Sequence, residues 1–420
     1  MIKLTKLEIK KNIKKKSTLV TAGLALLVYL VIFIHAPFQE GCCSIGEELK
    51  GLAAVRMKKV HGKKLPKVLS ESVVHNEVQQ IKCLCSDKNN FVIEQNCLRH
   101  LKDKVYSEKI IPKGDLLCLL ARNYSPINSD INAINMPDIL NSHSLCKRKE
   151  AQFYSIRSVN VKEHLSRSAL LNEKKRAYFN KKEKKLKTPF HFGYHLGWKV
   201  LIQMFPVALL FIILISCMFA SSTFSSEYAS KMDMLLLSSK LGGKKIAIAK
   251  ILSIYLLVSL FYFIFWLVGI LSLLIPYGFK GWNLPVQALG EITSFSYTLL
   301  QFVLLALLAG YLILIGLVTA TLYLSTKFKT VIPVVIISVI YILISNFVLF
   351  NQRSEEIILE SLRRLFSVIY IPHRDFCDYF AYSIGNLVFP TYLAVMLFYA
   401  ILTCVLFKLS VQTFNKHQIG

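Results

Sequence analysis

Six stretches of this chain, 17–36, 200–222, 250–276, 295–325, 331–350 and 391–408, hold no Asp, Glu, Lys or Arg except at a terminal residue. A helix needs about 20 mostly apolar residues to cross a bilayer, so each stretch reads as a transmembrane helix. The first also lacks the small-residue cleavage site of a simple signal peptide. Composition points the same way. Hydrophobic residues make up 54% of the 420 and charged residues only 18%, where soluble proteins carry about 25% charged. Yet 51 Lys and Arg stand against 25 Asp and Glu, a net charge of +26. High apolar content and high positive charge coexist only when segregated, one facing lipid and the other facing water or phospholipid headgroups. This excludes a cytosolic enzyme, a disordered chain and an ordinary DNA-binding protein, so membrane lipid is an expected partner and nucleic acid is not.

The predicted fold class is an all-α polytopic membrane protein, with six transmembrane helices and a large, mainly helical extracytoplasmic domain between the first and second. Orientation follows from Lys and Arg near the span ends. With the N-terminus inside, sixteen lysines lie in the inner segments, seven of them in MIKLTKLEIKKNIKKK, against five Lys and Arg in the short outer loops. Both termini are therefore expected in the cytoplasm, and Trp198 and Trp282 at the outer interface. The expected boundaries are a basic cytoplasmic segment 1–16, spans at 17–36, 199–222, 250–276, 295–325, 331–350 and 391–409, and an extracytoplasmic domain at 37–198. Cytoplasmic segments are expected at 223–249, 326–330 and 410–420, and outer ones at 277–294 and 351–390. The 37–198 domain is itself basic, with 29 Lys and Arg against 16 Asp and Glu; long loops translocate largely regardless of charge. Helix is expected near Ser70–Cys83 and loop near Asn123–Ser142.

Seven of the ten cysteines fall in that domain: Cys42, Cys43, Cys83, Cys85, Cys97, Cys118 and Cys146. An oxidising location permits disulfides, and an odd number leaves at least one outside them. Cys83-Leu84-Cys85 and His191/His195 come nearest to metal-ligand spacing, and no metal site is expected. The span interiors hold no ionisable group, which argues against an ion-coupled carrier. Glu355-Glu356 followed by Arg363-Arg364 is spaced wrongly for an EExxxR protease motif and reads as a solvated amphipathic face. No GxxxxGK[ST] occurs, so the chain cannot cradle a nucleotide itself, and any energy source lies on another chain.

Residues 224–250, FSSEYASKMDMLLLSSKLGGKKIAIAK, form the most informative segment. Glu227 and Lys231 stand at i,i+4, a pairing worth about 0.2–0.5 kcal/mol on an exposed helix. Phe224, Tyr228 and Leu235 share one face; Met232, Leu236 and Ser239 form a neighbouring stripe. Gly242-Gly243 are expected to end the helix. Such a helix fits either another protein's groove or the membrane surface.

The segment resembles the ABC-2 type permeases, the membrane subunits of bacterial ATP-driven exporters. Their pattern is loosely F-S-x-E-Y-x-x-G-T-D-x-L-L-L-S-S-K-x-G-R-x-K-x-x-x-A-K. The chain matches at Phe224, Ser225, Glu227, Tyr228, Asp233, Leu235, Leu236, Leu237, Ser238, Ser239, Lys240, Gly242, Lys245, Ala249 and Lys250. It departs at Lys231 and Met232, where the pattern has Gly-Thr, and at Gly243, where Arg is common. The resemblance implies a coupling helix that docks on a separate ABC ATPase subunit. Phe224, Glu227, Tyr228, Asp233, Leu235, Leu236, Ser238, Ser239, Lys240, Gly242 and Lys245 would form that interface. It implies ATP and Mg on the partner, no cofactor and no catalysis on this chain, and a location in the bacterial plasma membrane. A second permease copy or paralogue would complete the pathway. The cargo would be a peptide, drug-like or lipophilic molecule. Ala306, Ala309, Gly310, Gly316 and Ala320 offer a close-packing surface on the fourth span, for a second subunit or for this one. Residues 2–13 read as an interfacial helix with Ile2, Ile9 and Ile13 near one face. Residues 351–390 would hold short re-entrant helices. The rival reading is a membrane-anchored sensor or immunity protein whose outer domain binds a ligand without transport.

Overall fold

The computed structural model describes residues 2–14, 16–44, 47–93, 99–127, 129, 131, 135–141, 153–232, 243–345, 356–368, 370 and 372–416. It is mostly helical. Helix α1 (Ile2–Lys14) leads into α2 (Lys16–His35). The next long helices are α9 (Leu196–Ala229), α10 (Lys244–Tyr277), α11 (Leu299–Lys327) and α14 (Thr391–Asn415). Among the described residues five segments are long and apolar enough to cross a membrane: Val20–Gln39, Leu196–Ala229, Lys244–Tyr277, Leu299–Lys327 and Thr391–Asn415. In the sixth apolar stretch the described helix is α12 (Val331–Ile344), with 14 residues. That is about 21 Å at 1.5 Å per residue, short of a hydrocarbon core of about 30 Å.

Helix α11 is the axis of the bundle, packed along α9 on one side and α14 on the other. Its start is a capping box, Thr298 accepting from the Gln301 amide and Gln301 returning a side-chain bond to the Thr298 amide. The apolar stretch therefore becomes helical at Leu299, not at 295. Its small residues are used within the chain. A methyl group on Gly316 would sit 2.6 Å from the Tyr399 ring of α14, and one on Gly310 would meet Tyr262, Leu209 and Phe205. Neutral polar contacts join α10 to α11: Tyr255 with Thr319 at 2.6 Å and Ser259 with Tyr311 at 2.8 Å.

Between the first two long helices lies a mixed domain. It holds the hairpin β1–β2 (Gly41–Ser44, Glu47–Lys50), α3 (Leu52–Lys63), α4 (Glu71–Ser86) and the hairpin β3–β4 (Phe91–Ile93, Arg99–Leu101). These are followed by α5 (Gly114–Tyr124), α6 (Met136–Asn141), α7 (Phe153–Arg167) and α8 (Glu173–Glu183). Both hairpins are antiparallel, pairing Gly41 with Lys50 and Phe91 with Leu101. Ser70 caps α4 by accepting from the Val73 amide, and Val74, Val78, Ile81 and Cys85 form its buried stripe, a helical period facing one core. Cys83 lies on the opposite, exposed side of α4, so the Cys83/Cys85 pair does not converge. The stretch read as loop contains α6.

This domain is seated on the adjoining helix ends. The Lys59 ammonium donates to the Pro276 carbonyl at 2.7 Å, the Tyr194 hydroxyl to the Tyr277 carbonyl at 2.9 Å, and Arg157 to the Thr293 carbonyl at 2.9 Å. Trp198 is buried and its indole donates to the Phe279 carbonyl. It closes this seam, whereas Trp282 is exposed.

The region after α12 corrects a second expectation. Helix α13 (Ile357–Phe366) precedes the hairpin β5–β6 (Ala381–Ile384, Leu387–Pro390). The helix is amphipathic, but its charges are inside: Glu360 is 1% exposed and Arg363 and Arg364 are 6% each. Ile357, Ile358, Leu359, Leu362 and Phe366 face outward. The Glu360 carboxylate accepts from both arginines at 2.6–2.7 Å. Arg364 also reaches Asp378 at 2.5 Å and lies 4.3 Å from the Phe380 ring centroid. Burial opposes the charge on Arg364, but Asp378 and Glu360 outweigh it and hold the guanidinium firmly protonated. Tyr341 and Ser345 at the end of α12 bond the Phe366 carbonyl. The exposed apolar face thus continues the exposed isoleucines of α12.

Candidate functional site

The motif brackets the connection between α9 and α10, at the end of the bundle away from the mixed domain. Helix α9 does not stop at 222. Ser225 and Ser226 return their hydroxyls to the carbonyls of Ser221 and Ser222 at 2.6 and 2.5 Å, which satisfies both hydroxyls where the helix runs into the bundle. Ser325 of α11 locks this end: its hydroxyl accepts from the Phe224 and Ser225 amides at 3.0 Å and donates to the Ser221 carbonyl at 2.8 Å.

Phe224, Glu227 and Tyr228 are therefore buried. Phe224 and Tyr228 pack on Phe414 of α14, with ring centroids 5.1 and 6.4 Å away. The Glu227 carboxylate accepts from Lys250 of α10 at 2.5 Å and from Lys11 of α1 at 2.8 Å, and Lys250 reaches Glu8 of α1 at 3.3 Å. Side chains of Glu227 and Lys250 are 6% and 2% exposed, while Lys11 is 45% exposed. Two acids and two bases tie α1, α9 and α10 together. Burial lowers the Lys11 pKa, but Glu227 more than offsets this and raises it. The expected Glu227–Lys231 pairing is thus replaced. Helix α9 ends at Ala229, and Glu227 points back into the bundle. The docked face of α1 is Thr5 and Glu8, not Ile2 and Ile13, which are exposed.

The exit from α9 is a tight stop. The Met232 amide bonds the Glu227 carbonyl at 3.0 Å and the Lys231 amide bonds the Tyr228 carbonyl at 3.1 Å. These are the paired bonds of a Schellman motif. It needs a left-handed residue, and Lys231 supplies it with φ 56°. Here the resembling pattern has Gly. Lysine in that conformation is strained by about 1 kcal/mol. Lys231→Gly is therefore expected to raise stability by about 0.5–1 kcal/mol, read as an upward shift of the thermal midpoint in detergent. Gly243 precedes a helix, and the stretch that it and Gly242 were expected to end lies outside the described residues. Gly243 caps α10 with φ 66°, and a methyl group there would lie 3.1 Å from the Asn415 side chain of α14. Lys244 and Lys245 are exposed in the first turn of α10. Asp233, Leu235, Leu236, Ser238, Ser239, Lys240 and Gly242 lie outside the described residues.

Sequence reasoning missed Glu8, Lys250 as a buried partner, Ser325 and Phe414. One signal was present: Glu8 is the lone acid among the seven lysines of 1–16. No protein-family model and no curated protein matches this chain.

Proposed function

We propose that this chain is the membrane subunit of an ATP-driven ABC-2 type transporter, with ATP hydrolysed on a separate subunit. The observation that carries the reading is the 224–250 pattern together with the geometry at both of its ends. Helices α9 and α10 are pinned to each other and to α1 through Glu227 and Lys250, beside a connection that leaves α9 at a sharp stop and re-enters α10 at Gly243. A push on residues 233–242 would reach both long helices as one body, since packed helices move as rigid elements. On this reading those residues dock on an ATPase that binds ATP and Mg, and Lys244 and Lys245 meet headgroups. Glu227, Phe224 and Tyr228 transmit the load from within the bundle.

The same reading makes the stretch 331–350 a sixth span, the 37–198 domain extracytoplasmic, and both termini cytoplasmic in a bacterial plasma membrane. One chain supplies half of a pathway, completed by a second copy or a paralogue. The cargo class is peptide, drug-like or lipophilic.

Affinity purification of the tagged chain from its native membrane tests the docking role. The wild type is expected to retain an ATPase subunit, and Leu236→Asp to lose most of it while the permease stays folded. Retention of the ATPase by the aspartate variant would remove residues 233–242 from the interface.

A further inference from the structure

A cavity of about 410 Å³ lies between α7, the last turn of α8 and the residues that follow it to Thr188. That is within the range of small-molecule sites, about 300–1,000 Å³. Its floor is fixed to the bundle, because Arg157 donates to the Thr293 carbonyl and Ser294 donates to Glu183.

The acceptors of this wall are engaged. The Glu183 carboxylate accepts from the Ser294 hydroxyl at 2.6 Å and from Arg157 at 3.3 Å. The Tyr154 hydroxyl donates to the Leu69 carbonyl at 2.7 Å and accepts from the Phe190 amide at 2.8 Å. The Asn180 and Glu183 carbonyls at the end of α8 accept from the Lys184 and Leu186 amides. Glu163, next to the cavity in sequence, pairs with Arg167 at 2.6 Å. Arg157 is engaged too, by Glu183, the Asn123 side chain and the Thr293 carbonyl.

The donors are not. Ser158, Lys162, Asn180, Lys184 and Thr188 line the same cavity, and their side chains have no partner among the described residues. All five keep accessible surface: Lys162, Lys184 and Thr188 are exposed, and Ser158 and Asn180 are partly so. Two free ammoniums therefore stand in a concave wall whose one carboxylate is already neutralised by Arg157. A cleft of one sign focuses the field and concentrates ions of the other.

This wall selects an anion rich in acceptors. A cation meets no free carboxylate. A phosphate group brings three strong acceptor oxygens and a charge of about −1.5 to −2, matched to two lysines and three neutral donors. Lysine holds phosphate as a point charge. The volume exceeds a bare phosphate and leaves room for an organic group against Tyr154 and Leu186.

We propose that this cavity binds a phosphate ester, with its phosphate group at Lys162 and Lys184. The site stands on this chain's own residues and holds with or without transport. A soluble ester and a phospholipid headgroup share this chemistry, and the test separates them.

The test is titration calorimetry of the full chain in neutral detergent micelles at low ionic strength, first with glycerol 3-phosphate and then with phosphatidylglycerol in mixed micelles. At least one is expected to bind saturably. Binding of glycerol 3-phosphate assigns the site to a soluble ester; binding of phosphatidylglycerol alone assigns it to a headgroup. Lys162→Gln and Lys184→Gln are each expected to weaken the bound probe about fivefold, the upper range for a part-exposed charge pair. Ser158→Leu, which narrows the cavity without removing a charge, should weaken it as well while the thermal midpoint holds. Lys181→Gln, on α8 but outside the cavity lining, should leave binding unchanged. Failure of both probes to bind would overturn the proposal. So would an equal loss in Lys181→Gln, or equal competition by acetate, since either would show a diffuse basic face and not a site.

Discussion

Glu227→Ala is expected to lower the stability of the detergent-solubilised protein by about 3 kcal/mol, because it strands a buried lysine. Breaking one side of a buried pair destabilises by about 3–5 kcal/mol, whereas replacing both partners with apolar groups is often neutral. The lower end applies because Lys250 keeps a longer contact with Glu8 at 3.3 Å. Lys11, 45% exposed, returns to water and adds little. The double variant Glu227→Leu with Lys250→Met is expected to recover most of the loss. Thermal unfolding followed by tryptophan fluorescence measures the first effect and the double-mutant cycle the second. A parallel readout is tryptic cleavage within α1, which loses its Lys11 contact to the bundle in Glu227→Ala and should be cut faster. A loss under about 0.5 kcal/mol, the range of a surface pair, would show that the knot is solvated.

Glu360→Ala is expected to have the larger effect, about 4 kcal/mol. Two guanidiniums lean on this one carboxylate, and all three groups are at most 6% exposed. Without it Arg363 loses the carboxylate it bonds through two nitrogens, and Arg364 keeps Asp378. Breaking a buried ion pair from one side costs about 3–5 kcal/mol. Arg363→Met should cost less, since Glu360 retains Arg364. The expected order, Glu360→Ala well below Arg363→Met in thermal midpoint, separates a buried network from the solvated face that the residue pattern suggests. Equal and small shifts would favour the solvated face.

The contrast at α13 shows what residue order can and cannot carry. A helical period assigns Ile358 and Leu362 to one side and Glu360 and Arg364 to another, but it does not say which side faces out. That depends on whether the surroundings are water or hydrocarbon, and on Asp378, 14 residues further on. The same holds for Glu227. Its near neighbour in sequence, Lys231, is the obvious partner, yet its actual partners lie 23 and 216 residues away. The long helices were legible because sustained apolar runs leave few other structures. Their ends were not. Ser225 and Ser226 read as part of the connection, while their hydroxyls are satisfied on the Ser221 and Ser222 carbonyls within a helix that runs on to Ala229. The short hairpins β1–β2 and β3–β4 were missed because strands of three or four residues carry too little alternation to register. The stop at Lys231 was visible only as a mismatch with a pattern that has Gly, and its left-handed backbone gives that mismatch a physical meaning.

Replacing Leu236 with a photo-crosslinking residue and irradiating intact cells probes the account most directly. The expected adduct joins this chain to a polypeptide that carries a nucleotide-binding GxxxxGK[ST] loop, and position 236 stays protected from a membrane-impermeant reagent added outside. An adduct lacking any nucleotide hydrolase, or labelling of that position from the exterior, would contradict it.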